Sequence, residues 1–255
     1  MYQDTYDALS KAAAGKLSFL KNNPAGYFVS SMLAGIYVGF GILLIFTISG
    51  LLAGLPYAKI VMGVSFGVAL SLVIIAGAEL FTGNNLVMSA GAFSGAVSWG
   101  QTARLWGLCW LGNLAGSVLL ALAFWGSGLL TGDTASAIAA AAEAKMGAGP
   151  LPLFLRGVLC NILVCLAVWC GFRCTSDSGK LLMTFWCLFA FITAGFEHSV
   201  ANMTLLTAAL LSPAGAAVSL GGWLYNLAVV TAGNMVGGIA FLSVPYFIIQ
   251  KKKEA

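Results

Sequence analysis

A single histidine occurs in the chain, His198, and it follows Glu197 in the stretch Phe196-Glu197-His198-Ser199-Val200-Ala201-Asn202-Met203. The flanking sequence is built from Leu, Phe, Ala and Val, so an acid and an imidazole stand in apolar surroundings. An imidazole can donate through its N–H, carry charge or hand over a proton. One further acid, Glu79, has a similar setting, whereas Asp4, Asp7, Asp133, Glu143, Asp177 and Glu254 fall in loops or tails. An ionisable group at membrane depth is costly unless it is partnered or faces a wet cavity. Chemistry is therefore to be sought at Glu79, Glu197 and His198.

Each of the three has a structural reading beside the functional one. A helix that breaks in an apolar medium exposes backbone N–H groups that need acceptors. Glu79 and Glu197 suit the role of loop braces better than that of proton carriers. Asn84, Asn85, Asn113, Asn202 and Asn234 suit it too, because an amide both donates and accepts. For His198 the structural reading is a core histidine bonded to a hydroxyl, with Thr82 as partner. The functional reading concerns a small anion. Such an ion loses hydration on entering a low-dielectric passage, at high cost. A cationic or proton-donating imidazole offsets that cost.

Other chemistry finds no footing. The chain has no Walker loop, no G-x-S-x-G and no pair of acids at a wet surface. One histidine cannot make a His-cluster metal site, and no cofactor is expected. The six cysteines, Cys109, Cys160, Cys165, Cys170, Cys174 and Cys187, form no C-x-x-C and read as small packing residues. The net charge of +4 comes from lysines and arginines that flank apolar runs, which gives nucleic acid no patch. The chain reads as no enzyme.

The elements that must hold these residues follow from composition. Of 255 residues 60% are hydrophobic and 8% charged, against about 25% charged in soluble domains. The bilayer is the main solvent. About 20 residues cross it as a helix, and six spans are predicted, near 27–52, 59–95, 103–130, 151–173, 181–212 and 221–249. The second and fifth are too long for one plain crossing and each has a polar interruption. Residues 1–26 read as a cytoplasmic amphipathic segment, with Tyr6, Leu9, Ala13, Leu17 and Leu20 at helical spacing, and not as a secretory signal. The loop 131–150 carries AIAAAAEAKMG, a candidate short helix, and 251–255 is a basic tail. With six spans, Lys11, Lys16, Lys21, Arg104, Arg173, Lys180 and Lys251–Lys253 share one side, and Lys59, Lys145 and Arg156 the other. That bias puts both termini in the cytoplasm and 131–150 in the periplasm.

The chain also contains a repeat. Residues 76–85 read AGAELFTGNN and residues 194–203 read AGFEHSVANM, with Glu at the fourth position and Asn at the ninth. Gly112-Asn113-Leu114-Ala115-Gly116 follows the first, and Gly233-Asn234-Met235-Val236-Gly237 the second. Repeat one is 27–130 and repeat two 151–250. Three spans per copy is odd, so the second copy is inverted in the membrane. Inverted repeats with broken helices point to a substrate path where the repeats meet. The expected fold is an all-α integral membrane protein, one transmembrane domain with a 3+3 repeat and broken helices two and five. In this register His198 corresponds to Leu80.

These motifs, AGAELFTG at 76–83, CNILVCLAVW at 160–169, GFEHSVANM at 195–203 and GNMVGG at 233–238, resemble those of the formate/nitrite transporter family. The resemblance covers nearly the whole chain. NNPAGYFVSSMLAGIYVGFGILLIFT at 22–47 and EHSVANMTL at 197–205 are most similar to the nitrite channel branch. It implies an aquaporin-like fold and a homopentamer in the bacterial inner membrane, with one pore per protomer. The break in span two becomes a loop at Leu80, Phe81 and Thr82, and Thr82 bonds His198. Phe66, Leu70, Leu80 and Phe191 match residues that narrow the pore. Asn161, Lys145 and Asn234 match polar positions that attract or orient the anion. The implied substrate is a small monovalent anion, nitrite first, with formate or hydrosulfide as alternatives and protons as a coupled partner. The TGNN at 82–85 departs from the formate pattern. A water-like pore is the alternative of another class, but Asn-Pro occurs only at 23–24, outside the expected spans.

Overall fold

In a bilayer the peptide groups have no water to bond, so a spanning chain must pair them internally. The computed structural model describes residues 2–250, and these are helical without a strand among them; the tail Lys251–Lys253 lies outside the described residues. Helix α1 (Tyr2–Asn22) buries Tyr6, Leu9, Ala13 and Leu20 and leaves Leu17 half-buried. Helix α2 (Pro24–Leu51) follows at once. Asn23 caps it by accepting the Gly26 N–H, and Pro24 stands where no donor is needed.

The second span is broken. Helices α3 (Ala58–Ser65) and α4 (Gly67–Leu72) and a π-helical turn at Val73–Gly77 form one 20-residue apolar stretch. Gly77, with φ +80°, ends it. Only glycine adopts that left-handed backbone at little cost. Residues 78–80 run extended, and helix α5 (Phe81–Phe93) resumes the path. Helix α6 (Trp99–Gly126) returns across the membrane, started by a reciprocal cap between Ser98 and Gln101.

The second half repeats this order. Helix α7 is Gly132–Met146, α8 is Pro150–Arg173, and α9 (Asp177–Ala194) and α10 (Ser199–Leu211) form a pair bent by 52°. Gly195, with φ +82°, makes this break as Gly77 makes the first. Helix α11 (Leu220–Gly238), a π-helical turn at Ile239–Ser243 and α12 (Val244–Gln250) complete a 31-residue apolar stretch. The Ala-Gly pair that opens each copy of the motif is thus a helix terminator. The candidate short helix in 131–150 is a full 15 residues. It holds the place before α8 that α1 holds before α2, so the repeat extends one element beyond the matched motifs.

Small residues set how closely the spans approach. A side chain at Gly35 would meet the Asn113 backbone, and one at Gly116 the Met32 backbone, so α2 and α6 touch backbone to backbone. Gly233 and Gly237 stand in the same way against Phe154 and Val158, joining α11 to α8. The two G-N-x-x-G motifs are therefore contact stripes that carry one asparagine each. Gly116→Leu and Gly237→Leu are each expected to destabilise the protein by about 1–3 kcal/mol through overpacking. Thermal unfolding in detergent checks this. Gly107→Ala, at a glycine with nothing within 4 Å of the added carbon, is the control that leaves the transition in place.

Candidate functional site

The site is built around the two breaks. At the first, Asn113 Nδ2 donates to the carbonyls of Glu79 (2.9 Å) and Ser31 (2.7 Å), and its Oδ1 accepts the Phe81 N–H (2.9 Å). At the second, Asn234 Nδ2 donates to the carbonyls of Glu197 (2.9 Å) and Gly157 (2.8 Å), and its Oδ1 accepts the Ser199 N–H (2.9 Å). One amide thus holds both lips of each break. The preceding span adds a bond each time: Glu79 N donates to the Ser30 carbonyl and Glu197 N to the Arg156 carbonyl.

The two glutamates do something different from the expected bracing. Among the described residues their carboxylates accept no backbone N–H. Glu79 accepts from Lys16 Nζ (2.6 Å), Asn84 Nδ2 (2.9 Å) and Tyr27 Oη (3.2 Å). Glu197 accepts from Lys145 Nζ (2.6 Å) and Asn202 Nδ2 (2.7 Å). A buried charge needs such pairing. Lys16 lies on α1 and Lys145 on α7, so each interfacial helix delivers one lysine to one break. Asn202 also donates to Asn226 Oδ1, and Asn226 donates to the Lys145 carbonyl.

Three cavities lie in file between the repeats. The first, on the α7 side, holds about 290 Å³ and is lined by Lys59, Lys145, Arg156, Glu197, Phe191 and His198 among others. The second holds only about 10 Å³, between Phe66, Leu70, Leu80, Val164, Phe191 and His198. That is about the minimum for one water. The third, on the α1 side, holds about 360 Å³ and includes Lys16, Glu79, Leu70 and Leu80. Phe191 and His198 line both the first and the second cavity, and Leu70 and Leu80 both the second and the third. These shared residues form two throats around a minute chamber, Phe191 with His198 on one side and Leu70 with Leu80 on the other. Phe66 packs edge-on against Phe191, ring centroids 5.6 Å apart.

His198 is the polar group on the chamber wall. It caps α10: Nδ1 accepts the Ala201 N–H at 3.0 Å, and Nε2 lies 3.0 Å from Thr82 Oγ1. An Nδ1 that accepts has no proton, so the ring proton is on Nε2 and points to Thr82. The neutral imidazole is thereby fixed as a donor between the repeats. Helices α5 and α10 also begin here, at Phe81 and Ser199. Their N-terminal dipole ends add positive potential where the two breaks meet.

Of the residues selected from sequence, His198, Thr82, Phe66, Leu70, Leu80 and Phe191 come together at the chamber, with Thr82 reaching it through His198. Lys145 lines the α7-side cavity. Phe81, Asn161 and Asn234 line none of the three. Asn161 is buried and donates to the Thr82 carbonyl (3.3 Å), Asn85 Oδ1 (3.0 Å) and the Asn234 carbonyl (2.6 Å). It ties the two breaks together from outside the three cavities. Sequence reasoning passed over Lys16, Tyr27 and Asn226 at the breaks, and Lys59 and Arg156 as cavity lining. Lys16 was legible only as a membrane-flanking cation. The α1–α7 correspondence is the signal that finds it, as the counterpart of Lys145.

A helical membrane bundle with broken spans meeting at a narrow polar-walled chamber, open to a larger cavity on each side, is a transport pathway for a small solute. The sequence profile of the formate/nitrite transporter family matches residues 3–248. The nitrite transporter NirC of Salmonella typhimurium is 44% identical over 256 residues, covering 100% of this chain and 94% of its own. NirC of Escherichia coli is 43% identical over 254 residues, covering 99% and 94%. Among solved structures, one described as an FNT family ion channel aligns with a TM-score of 0.93 at 44% identity, over 97% of this chain and 99% of its own. A pentameric formate channel with formate bound aligns with a TM-score of 0.82 at 30% identity, over 91% and 99%. The chain belongs to the formate/nitrite transporter family. It is a small-anion channel of the membrane and not an enzyme.

Replacing either clamp amide should open its break. Asn113→Ala and Asn234→Ala leave the Phe81 and Ser199 N–H, respectively, without an acceptor and take one hydrogen bond from two carbonyls, at about 1–3 kcal/mol for the orphaned donor alone. Both variants are expected to lose monodisperse yield and to unfold at markedly lower temperature in detergent. Asn22→Ala, whose amide meets only Ser18 on an exposed turn, should unfold with the parent.

Proposed function

We propose that the chain conducts nitrite across the bacterial inner membrane, through a separate pore in each protomer of a homopentamer. The observation that carries this reading is the position of His198, the donor on the wall of a chamber otherwise lined by Phe, Leu, Val and Ala. A bare anion there has no water shell, and a charge-assisted hydrogen bond is among the few interactions strong enough to replace part of it. The anion gathers in the α7-side cavity, where Lys59, Lys145 and Arg156 outnumber Glu197. It sheds water at the Phe191 throat, meets the His198–Thr82 pair, and leaves past Leu70 and Leu80 toward Lys16.

Lysine and arginine distribution puts both termini in the cytoplasm and the α7-side cavity in the periplasm. The lysine pairs bear on selectivity for sign: each cavity ends at a break where a lysine already neutralises the glutamate, so the acids do not repel the anion. The similarity to NirC chains favours nitrite, and the 30% identity to a formate-bound channel keeps formate as the second substrate to test. Flow is driven by gradients. Proton-coupled flow requires the neutral ring first to take up a proton at Nδ1, releasing the Ala201 N–H, so that the imidazolium can give one up at Nε2 through Thr82 and return to the neutral form.

Reconstituted in liposomes, the protein is expected to pass nitrite faster than formate or hydrosulfide, and water no faster than empty vesicles. Failure of all three anions alongside rapid water flow would overturn the reading. His198→Leu, which gives the second break the residue of the first, should cut nitrite flux about 10- to 100-fold, the worth of one hydrogen bond to a charged group, and lower the unfolding temperature because the Ala201 N–H and the Thr82 hydroxyl lose their partner. His198→Asn separates the two roles of the ring. It keeps an N–H dipole but gives up no proton, so flux that survives without dependence on pH assigns proton donation to the imidazole, and an unaltered pH profile assigns the dipole alone.

A further inference from the structure

A fourth cavity belongs to none of the machinery described above. It holds about 590 Å³, more than either vestibule, and opens between the last turns of α1, the start of α2, the turn after α5 and the first turns of α6. Its floor is apolar, with Leu20 and Val97 buried and Leu17 half-buried. Its rim carries Lys21, Gln101 and Arg104, all exposed. Lys21 continues the face of α1 that presents Leu17, and Gln101 and Arg104 stand one turn apart on α6. Among the described residues neither cation has an acidic partner.

The place of this cavity in the membrane selects its ligand. Spans α2 and α6 both begin here, next to an amphipathic helix, so the rim lies at the level where the spans leave the hydrocarbon. Trp99, 47% exposed, opens α6 two residues from Val97 and Gln101 of the lining, and tryptophan is enriched at membrane interfaces. The side is that of the termini, where basic residues meet anionic lipid. A cleft with an apolar floor and two unpaired cations at headgroup depth is complementary to one phosphate monoanion joined to a glycerol and acyl chains. We propose that it holds the headgroup of an anionic phospholipid, with Lys21 and Arg104 on the phosphate, Gln101 donating to it, and Leu17, Leu20 and Val97 against the glycerol and the first methylenes. The shared chemistry is a phosphate oxyanion. The apolar floor favours the lipid over free phosphate. Bound there, a lipid would pin α1, and with it Lys16, to the rest of the fold.

Native mass spectrometry of the full-length protein in detergent, titrated with dioctanoyl phosphatidylglycerol, tests this. The expected result is a saturable adduct, a rise in unfolding temperature on binding, and weakening with added salt. Lys21→Ala with Arg104→Ala should lower the affinity about thirtyfold, each cation beside an anionic headgroup strengthening binding roughly fivefold, with the lipid-free unfolding temperature unchanged. Lys21→Arg with Arg104→Lys should restore binding. Equal affinity for dioctanoyl phosphatidylcholine, undiminished binding in the alanine pair, or displacement by millimolar inorganic phosphate would each overturn the proposal, the last by assigning the cleft to free phosphate.

Discussion

Two interruptions of the backbone at membrane depth are the constraint on which the rest of this structure depends. A helix end away from water leaves peptide groups unpaired, and each costs a large fraction of a small protein's stability. The chain meets that cost with one amide per break. An asparagine suits the task because it donates twice and accepts in one plane: each break presents one carbonyl and one N–H, and the second donated bond ties it to a carbonyl of the preceding span, Ser31 on α2 or Gly157 on α8. The amide must come from a neighbouring span at backbone distance. Gly112 and Gly116 on either side of Asn113, and Gly233 and Gly237 on either side of Asn234, supply that closeness. The glycine stripe, the asparagine and the Ala-Gly terminator are three parts of one solution, used twice.

The ion pairs are the second layer of the same solution. A buried carboxylate without a partner would be far more costly than the open break itself, and removing one member of such a pair strands the other. Each glutamate is met by a lysine from a helix that precedes the spans, α1 for Glu79 and α7 for Glu197. This gives the two interfacial helices a shared reason to exist. They bring one cation to each break and close the pathway's two cavities with a neutral pair. The Lys16 pair also makes α1 part of the pathway wall, although the composition of α1 marks it only as a surface helix.

The parts legible in sequence were those with local spacing. Ala-Gly-x-Glu and Gly-Asn-x-x-Gly recur because each is read within one turn or two of helix, and a repeat of both is enough to place two broken spans. Contacts across 63 and 52 residues, such as Lys16–Glu79 and Lys145–Glu197, leave no mark of that kind. Asn161 shows the other limit. A polar residue on an apolar helix must face something, but residue type does not say whether that is a solute or a carbonyl. The Asn161 Nδ2 goes to the Thr82 and Asn234 carbonyls, which residue type alone does not foretell. Leu80 and Phe81 differ for a geometric reason. Leu80 is the last extended residue and reaches the chamber, while Phe81 is already on α5 and turns into the core.

Against so much symmetry, the departures carry the meaning. At corresponding positions the first break presents Leu80 and the second His198, so the chamber has one apolar wall and one donor. The cavities depart in the same sense. The α1 side has Lys16 against Glu79, with no net charge between them, and the α7 side has Lys59, Lys145 and Arg156 against Glu197. Charges within a Debye length of about 8 Å add to one local potential, and a cleft with low-dielectric walls focuses it. In the proposed function an anion therefore meets its strongest attraction on the side nearest the histidine and its weakest on the side of the leucines. A scaffold built twice from one set of clamps has been made electrostatically asymmetric by a few residues that the clamps do not need.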